Sequence, residues 1–529
     1  MKYIIFFASS FIILINFSCH KDFAKLNVDP NSISSKTAQY EKLFSSTELW
    51  TSGMRSGPFE DERTNLGYCS LLIQHMSSTY YEQGDKYAFN NEYLTAYWVS
   101  QYPYAIKLVV SVIDGIKDNP DKSNFYNIAR IFKVFMFQRM TDLYGDIPYF
   151  EAGKAYVGDV AFPKYDKQED IYEDMLKELD EAAAALDPNK KNTLNSQDII
   201  YGGDVSKWRK FAYSEMTRLA MRMSKVAPDD AKIWVQKAVA GGVMTTNDDN
   251  AIVEHFLQPA SSPANNGAAW TLVTEDNNNF KLSEAFVDFF KKHNDPRLHF
   301  YGTVSTDPGA KWGSSGYNFG DTSSSLQIGM PNGYNVIGGL VPINTAPNFP
   351  GNINNYSIPN RYTFVRPDAP TFYLTAAETQ LLLAEAAQRG WISGSAIEFY
   401  NTGVKLAFSQ LIQIGANWTE SQALMQAENY LTANPYLANT GIQQINEQYW
   451  VAVFMDGYEA FANWRRSGYP ILIPVNYPNL AINQTGGTIP RRLTYPLDEV
   501  SINTQNFNEA VSRLDDGNKM TSRMWWDKP

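Results

Sequence analysis

Two stretches of the 529-residue chain set aromatic rings beside amides and carboxylates. The first, SSTYYEQGDKYAFNNEYLTAYW from Ser77 to Trp98, holds Tyr80, Tyr81, Tyr87 and Trp98 next to Gln83, Asp85, Asn90 and Asn91. The second, from Trp312 to Tyr334, spaces Trp312, Tyr317 and Tyr334 among Gly, Asn and Ser. A ring stacks on an apolar face while amides and carboxylates hydrogen-bond hydroxyls, so this mixture reads as recognition rather than bond making. Rings at helix-core spacing, such as Trp208 and Phe211, read as packing. Those of the second stretch have no periodicity to bury them, and loops on a rigid scaffold commonly carry binding residues. The alternative for each ring is that it pins its loop to the helices. Trp98 and Trp312 are the first choices, expected to be surface rings whose loss lowers affinity and leaves the melting temperature nearly unchanged.

Other chemistry fails by spacing. The five histidines (His20, His75, His255, His293 and His299) form no HExxH pair, there is no CxxC, and Asp248-Asp249 does not fit an alternating calcium loop, so no metal site is expected. Neither GxxxxGK[ST] nor GxGxxG occurs, and Gly313-Ser314-Ser315-Gly316 is not a nucleophile elbow, so no nucleotide or other cofactor is expected. The 56 acids supply carboxylate pairs at every separation, which makes a glycosidase pair illegible from sequence. Of the two cysteines, Cys69 reads as a small buried hydrophobe.

Lys plus Arg total 45 against 56 acids, a net charge of −11, which argues against a surface that neutralises nucleic-acid phosphates. Residues 1–18 read as a signal peptide: Lys2 is a basic start, Tyr3–Phe17 an apolar run too short to span a bilayer, and Ser18 a small residue before Cys19. That cysteine resembles the lipid-modified residue of a bacterial lipobox, and acyl chains there would anchor the chain without a membrane-crossing helix.

Helical periodicity with recognisable ends appears at 167–186, capped by Asp166 with Glu169 three residues on, and at 125–143, 205–226, 228–240, 374–389, 396–414 and 441–464. Long helices paired across short Gly or Pro breaks, among them Ala377–Gly390 followed by Tyr400 and Val404, look like stacked tetratricopeptide-like repeats. Ten glycines between Gly302 and Gly351 forbid long helices there, yet the segment is too aromatic for a disordered linker. The expected fold is mainly α, a helical repeat scaffold with an irregular loop-rich insertion and few short strands. Its divisions are the signal peptide 1–18, a tether 19–35, a first scaffold part 36–260, the insertion 261–370, a second scaffold part 371–468 and a loop-rich C-terminal segment 469–529.

DFAKLNVDPN (Asp22–Asn31), TDLYGDIPYF (Thr141–Phe150), DPRL (Asp295–Leu298), AETQLLLAEAAQRGW (Ala377–Trp391), MDGYEAFANWRRSGYP (Met455–Pro470) and IPRRLTYPLDEVSINTQN (Ile489–Asn506) together resemble, in order, the SusD/RagB family of Bacteroidetes outer-membrane lipoproteins, in its SusD-like branch. Each motif also has an architectural reading: Gly145 as a helix-ending glycine at positive φ, and Arg465-Arg466 and Arg491-Arg492 as buried ties for the C-terminal segment. The resemblance implies a non-catalytic, outward-facing lipoprotein lid over a SusC-like TonB-dependent transporter, without cofactor. Such proteins bind glycans in many members and peptides in some. A surface glycosidase is the enzymatic alternative, and a purely scaffolding adaptor the structural one.

Overall fold

In the computed structural model, the described residues are 38–54, 59–80, 84–155, 158, 160–257 and 264–529. The signal peptide, the whole 19–35 tether with Cys19, and Tyr81 lie outside them. The chain divides at Tyr40, and the architecture below is that of Glu41–Pro529. Its longer helices are α1 (Tyr40–Thr51), α2 (Lys107–Ile116), α3 (Ser123–Tyr144), α4 (Gln168–Ala185), α5 (Val205–Arg222), α6 (Pro228–Gly241), α7 (Glu284–Lys292), α8 (Ala376–Gln388), α9 (Ala396–Gln413), α10 (Glu420–Ala433), α11 (Gly441–Ala452), α12 (Gly457–Ser467) and α13 (Thr504–Ser512).

Local sequence sets most of these ends. Asp204 accepts from Ser206 N–H (2.8 Å) and Lys207 N–H (3.1 Å) to start α5, Thr375 caps α8, and Thr419 with Gln422 forms a reciprocal capping box at α10. Gly145 closes α3 at φ +86°, as its place in TDLYGDIPYF requires. Two local expectations change. Asp166 does not cap α4; its carboxylate instead accepts from Tyr149 N–H (3.0 Å) and Phe150 N–H (2.9 Å), while Asp146 takes over the cap by accepting from Gln168 N–H (2.8 Å). The single helix expected over 441–464 is two, α11 and α12, because Met455 turns the chain at φ +77° and Asp456 restarts it, accepting from Glu459 N–H at 3.2 Å.

Helices pack in sequence-adjacent layers: α3 on α4, α4 on α5, α5 on α6, then α8 on both α5 and α9, α9 on α10, and α8 on α11. This is the expected helical repeat scaffold. Its centre is ionic as well as apolar. Arg218 meets Glu215 (3.2 Å) and Glu378 (2.7 Å), Arg222 meets Glu459 (2.6 Å) and Asp142 (3.1 Å), and Arg466 grips Glu385 through two hydrogen bonds of 2.7 and 2.8 Å. Arg465 donates to Asp142 O and Arg491 O, Arg492 to Tyr144 O, and Trp526 Nε1–H to Asp142, so the Arg-Arg motifs are internal ties joining the C-terminal segment to α3 and α12. Cys69 is buried, and burial pushes its thiol up, out of the nucleophilic range.

The insertion leaves the scaffold after β2 (Ala251–Val253) and returns at β6 (Thr371–Leu374), two antiparallel strands paired to each other. Within it β4 (Gly302–Thr303) pairs with β5 (Ile358–Pro359), and a satellite core of Met330, Ile343, Ala346 and Tyr356 orders the glycine-rich part. The insertion is less irregular than expected: its first half contains α7, capped by Ser283. A third pair, β1 (Met76–Ser77) with β3 (Lys281–Leu282), joins the N-terminal aromatic stretch to the insertion. Among the described residues no helix is long and apolar enough to cross a membrane.

Candidate ligand-binding face

The β1–β3 register places Ser77 opposite Lys281, so the chain beyond Ser77 runs back toward the 275–279 turn and leaves Tyr80 63% exposed. Trp312 arrives at the same turn from the other side: its N–H donates to Val273 O at 2.8 Å, and Asn277 Nδ2 donates to Gly309 O at 2.5 Å. Trp312 and Tyr317 are half-buried, their rings 5.1 Å apart at 73°. Phe319 lies 6.1 Å from Trp312 and stacks on Tyr362 at 4.7 Å, and Tyr362 is 48% exposed. The Tyr317 hydroxyl is enclosed without a hydrogen-bond partner, so Tyr317 supports Trp312 rather than offering its own polar tip.

Asn90, expected to touch ligand, is the N-cap of the short helix Asn91–Leu94 and accepts from Tyr93 N–H at 3.3 Å. It thereby sets Tyr93, which sequence reasoning left out because it sits within the aromatic run without a distinguishing pattern. The Arg63 guanidinium lies 5.0 Å from the Phe59 ring and 5.5 Å from Tyr93, and pairs with Glu92 at 2.8 Å. Burial, then the charge of Asp276, raises the Glu62 carboxyl; burial with Glu62 beside it pushes the Tyr93 hydroxyl up to about 12. Rings and hydrogen-bonding groups from 59–63, 92–93, 270–276 and 309–319 thus converge on one face.

Asp85, Tyr87 and Tyr334 belong to a separate cleft of about 1,060 Å³ whose walls include Phe289 and His293 from α7 or its end, Trp450 from α11, Tyr334, and Ile471 and Ile473. Tyr334 lines it, half-buried. Asp85 and Tyr87 do not; both are 1% exposed and build its frame. The Asp85 carboxylate accepts from Asn332 Nδ2 (2.5 Å) and Gly333 N–H (2.7 Å), and the Tyr87 hydroxyl accepts from Val475 N–H (2.9 Å). Two loops held this way expose a set of aliphatic side chains: Ile337 (64%), Leu340 (61%), Ile471 (72%), Ile473 (80%) and Leu480 (74%). The available signal was the aliphatic run Ile471-Leu472-Ile473 between Pro470 and Pro474, too short for a periodicity argument.

Trp98 requires correction as a surface ring. It is 6% exposed and packed among Tyr102 (4.9 Å), Tyr144 (5.2 Å), Tyr165 (5.8 Å) and Tyr495 (6.0 Å), forming the floor of a pocket of about 300 Å³ rather than part of either surface above. It sits in Ala96–Gln101, a helical turn whose inner side faces α3 and the C-terminal segment, and single-sequence reading had no period long enough to reveal that side.

Fold and surface together define a class: a helical-repeat binding protein that carries rings on loops of an insertion closed by paired strands. The chain belongs to the SusD-like family described as "starch-binding associating with outer membrane", whose model matches residues 31–496. It is similar in structure to a chitin-binding protein (34% identity, 93% of this chain and 100% of that one, TM-score 0.78). It is also similar to a Bacteroidetes SusD-like protein (28%, 93% and 100%, TM-score 0.79) and to a SusD homologue from Bacteroides uniformis (25%, 93% and 100%, TM-score 0.72). No curated protein matches the chain.

Proposed function

We propose that the protein captures a neutral β-linked oligosaccharide of the chitin type on the face around Trp312 and hands it to a TonB-dependent transporter of the SusC kind, without chemistry of its own. The observation that carries this reading is the ring set of one face, Trp312 and Tyr362 on loops with Tyr93 on a short helix, beside the Asp276 and Glu62 carboxyls. Rings stack on the C–H faces of pyranoses, and amides and carboxylates pair with hydroxyl and acetamido groups. The 34%-identical chitin-binding relative supports the ligand class. Titration calorimetry with chitotetraose should give saturable binding with no product by chromatography. Absence of heat with chitotetraose, or appearance of shorter sugars, would reject capture or non-catalysis respectively.

In this reading Cys19 carries the lipid anchor that holds the mature chain at the outer membrane, outward-facing, and the aliphatic set on the 333–341 and 470–480 loops meets the transporter. A sugar offers little to branched aliphatics 60–80% exposed, whereas a protein partner buries them. Ile471→Glu with Ile473→Glu should abolish co-purification of the barrel from native membranes at unchanged chitotetraose affinity. Retained co-purification would assign this patch another role.

A further inference from the structure

The loop that carries Trp312 is organised about one buried guanidinium. Its ends meet where Val304 and Asp321 exchange backbone hydrogen bonds of 2.9 and 2.8 Å, giving the closed base and length of an Ω-loop. Inside that loop few backbone groups pair with each other. Arg361, from the turn that follows β5 and fully buried, fills the place of a core: it donates to Asn318 O (2.7 Å), Pro308 O (2.7 Å) and, at 3.4 Å, to Ser305 Oγ. These acceptors lie near the start and end of the loop. The same guanidinium sits 4.6 Å from the centroid of the Tyr317 ring, whose other neighbours are Trp312 and Phe319. None of its described hydrogen bonds goes to a carboxylate. A planar fork serving several carbonyls and a ring face at once is an arginine function that an ammonium cannot reproduce.

We propose that Arg361 is the positioning residue of the ligand face: it holds the Ser305–Gly320 loop in one conformation and, through Tyr317, fixes the plane on which Trp312 is presented. This rests on the reading that Trp312 contacts the ligand. A ring fixed before binding spares the ordering cost that a loose loop would incur on association. Arg361 therefore acts on affinity without touching the sugar.

The test uses Arg361→Lys, Arg361→Met and Trp312→Ala in the full chain, with backbone hydrogen exchange in the absence of ligand and chitotetraose titration. Arg361→Lys should raise exchange at least tenfold within 306–319 while α3, α5 and α8 exchange as in the parent, and should weaken chitotetraose about tenfold. Arg361→Met should do both more strongly. Trp312→Ala should weaken binding with loop exchange unchanged. Exchange that rises uniformly across the helices, or stays parental in the loop, would make Arg361 an ordinary core residue and overturn the proposal. A loosened loop with parental affinity overturns it too. If Trp312→Ala also binds normally in that case, the failed premise is the ligand face; if Trp312→Ala binds weakly, the failed premise is Arg361.

Discussion

Glu385→Ala should lower unfolding stability by about 3–5 kcal/mol, read as a fall in the urea midpoint, because it strands a buried arginine. Glu385 is fully buried on α8 and accepts two hydrogen bonds from Arg466, two from Arg389 (3.0 and 2.8 Å) and one from Asn446 (3.0 Å). Arg466, 1% exposed, has no other carboxylate among its described ion pairs. Coulombic gain in such a pair roughly offsets the desolvation of both ions, so the pair adds little over an apolar replacement, but half of it is far worse than either. A midpoint within experimental error of the parent would show that Arg466 finds water or another acceptor.

The same centre fixes the sign of the pH response. Burial pushes the Glu385 carboxyl up, but Arg466 and Arg389 outweigh it and bring it down to about 2. A depressed carboxyl stabilises above its unfolded value and loses that contribution as pH falls from about 5 toward 2, on the order of 3 kcal/mol for this group. Asp61 and Glu215 act oppositely: burial raises both to about 7, against Arg139 for the first and Arg218 for the second. A raised carboxyl holds its contribution below its unfolded value and loses it as pH climbs through about 7. From these three groups stability should peak near pH 4, falling below it as Glu385 protonates and above it, toward pH 7, as Asp61 and Glu215 ionise, and Glu385→Gln should flatten the acidic limb. An acidic limb unchanged in that variant would place the proton elsewhere.

The two tryptophans first singled out should part company completely. Trp98→Ala removes a ring packed against four tyrosines and is expected to cost about 3–5 kcal/mol of stability, with chitotetraose affinity retained in the folded fraction. Trp312→Ala removes a half-exposed ring and should weaken chitotetraose about 30-fold, the loss of a hot-spot contact of about 2 kcal/mol, with a melting temperature within a degree or two of the parent. The pair of measurements is diagnostic because each variant controls for the other. Equal melting temperatures would contradict the packing of Trp98, and equal affinities would remove Trp312 from the ligand face.

Much of the scaffold was written locally. Gly145 announces a helix end, and apolar spacing gives α4, α5 and α9 within a few residues, while the caps Asp204, Thr375 and Thr419 and the helix α10 emerge in the structure. Such signals act over one or two turns, where neighbouring residues in sequence are neighbours in space. The exceptions follow the same logic. Asp166 looked like a cap because Glu169 follows it, yet a carboxylate reaches whichever amides the fold brings near, here those of Tyr149 and Phe150. The break at Met455 depends on Asp456 being held by Arg139, more than three hundred residues away, and no local pattern contains that partner.

The composition of the candidate site was legible and its membership was not. Sequence alone determined that this chain carries rings and amides in two stretches, the second on loops without a helical period, with no spaced ligands for metal or nucleotide. Only the tertiary structure decided which rings face outward. Trp98, Asp85 and Tyr87 went inward because the C-terminal segment and the 332–333 and 475 loops close over them; Asn90 became a cap; Trp312 stayed at the surface because Arg361 and Tyr317 support it from below. The segments that close over Trp98, Asp85 and Tyr87 come from hundreds of residues away, and Arg361 lies well beyond the reach of any local pattern around Trp312. Burial is a property of what packs on a residue, and in loops without a period nothing in the adjacent sequence says what that will be.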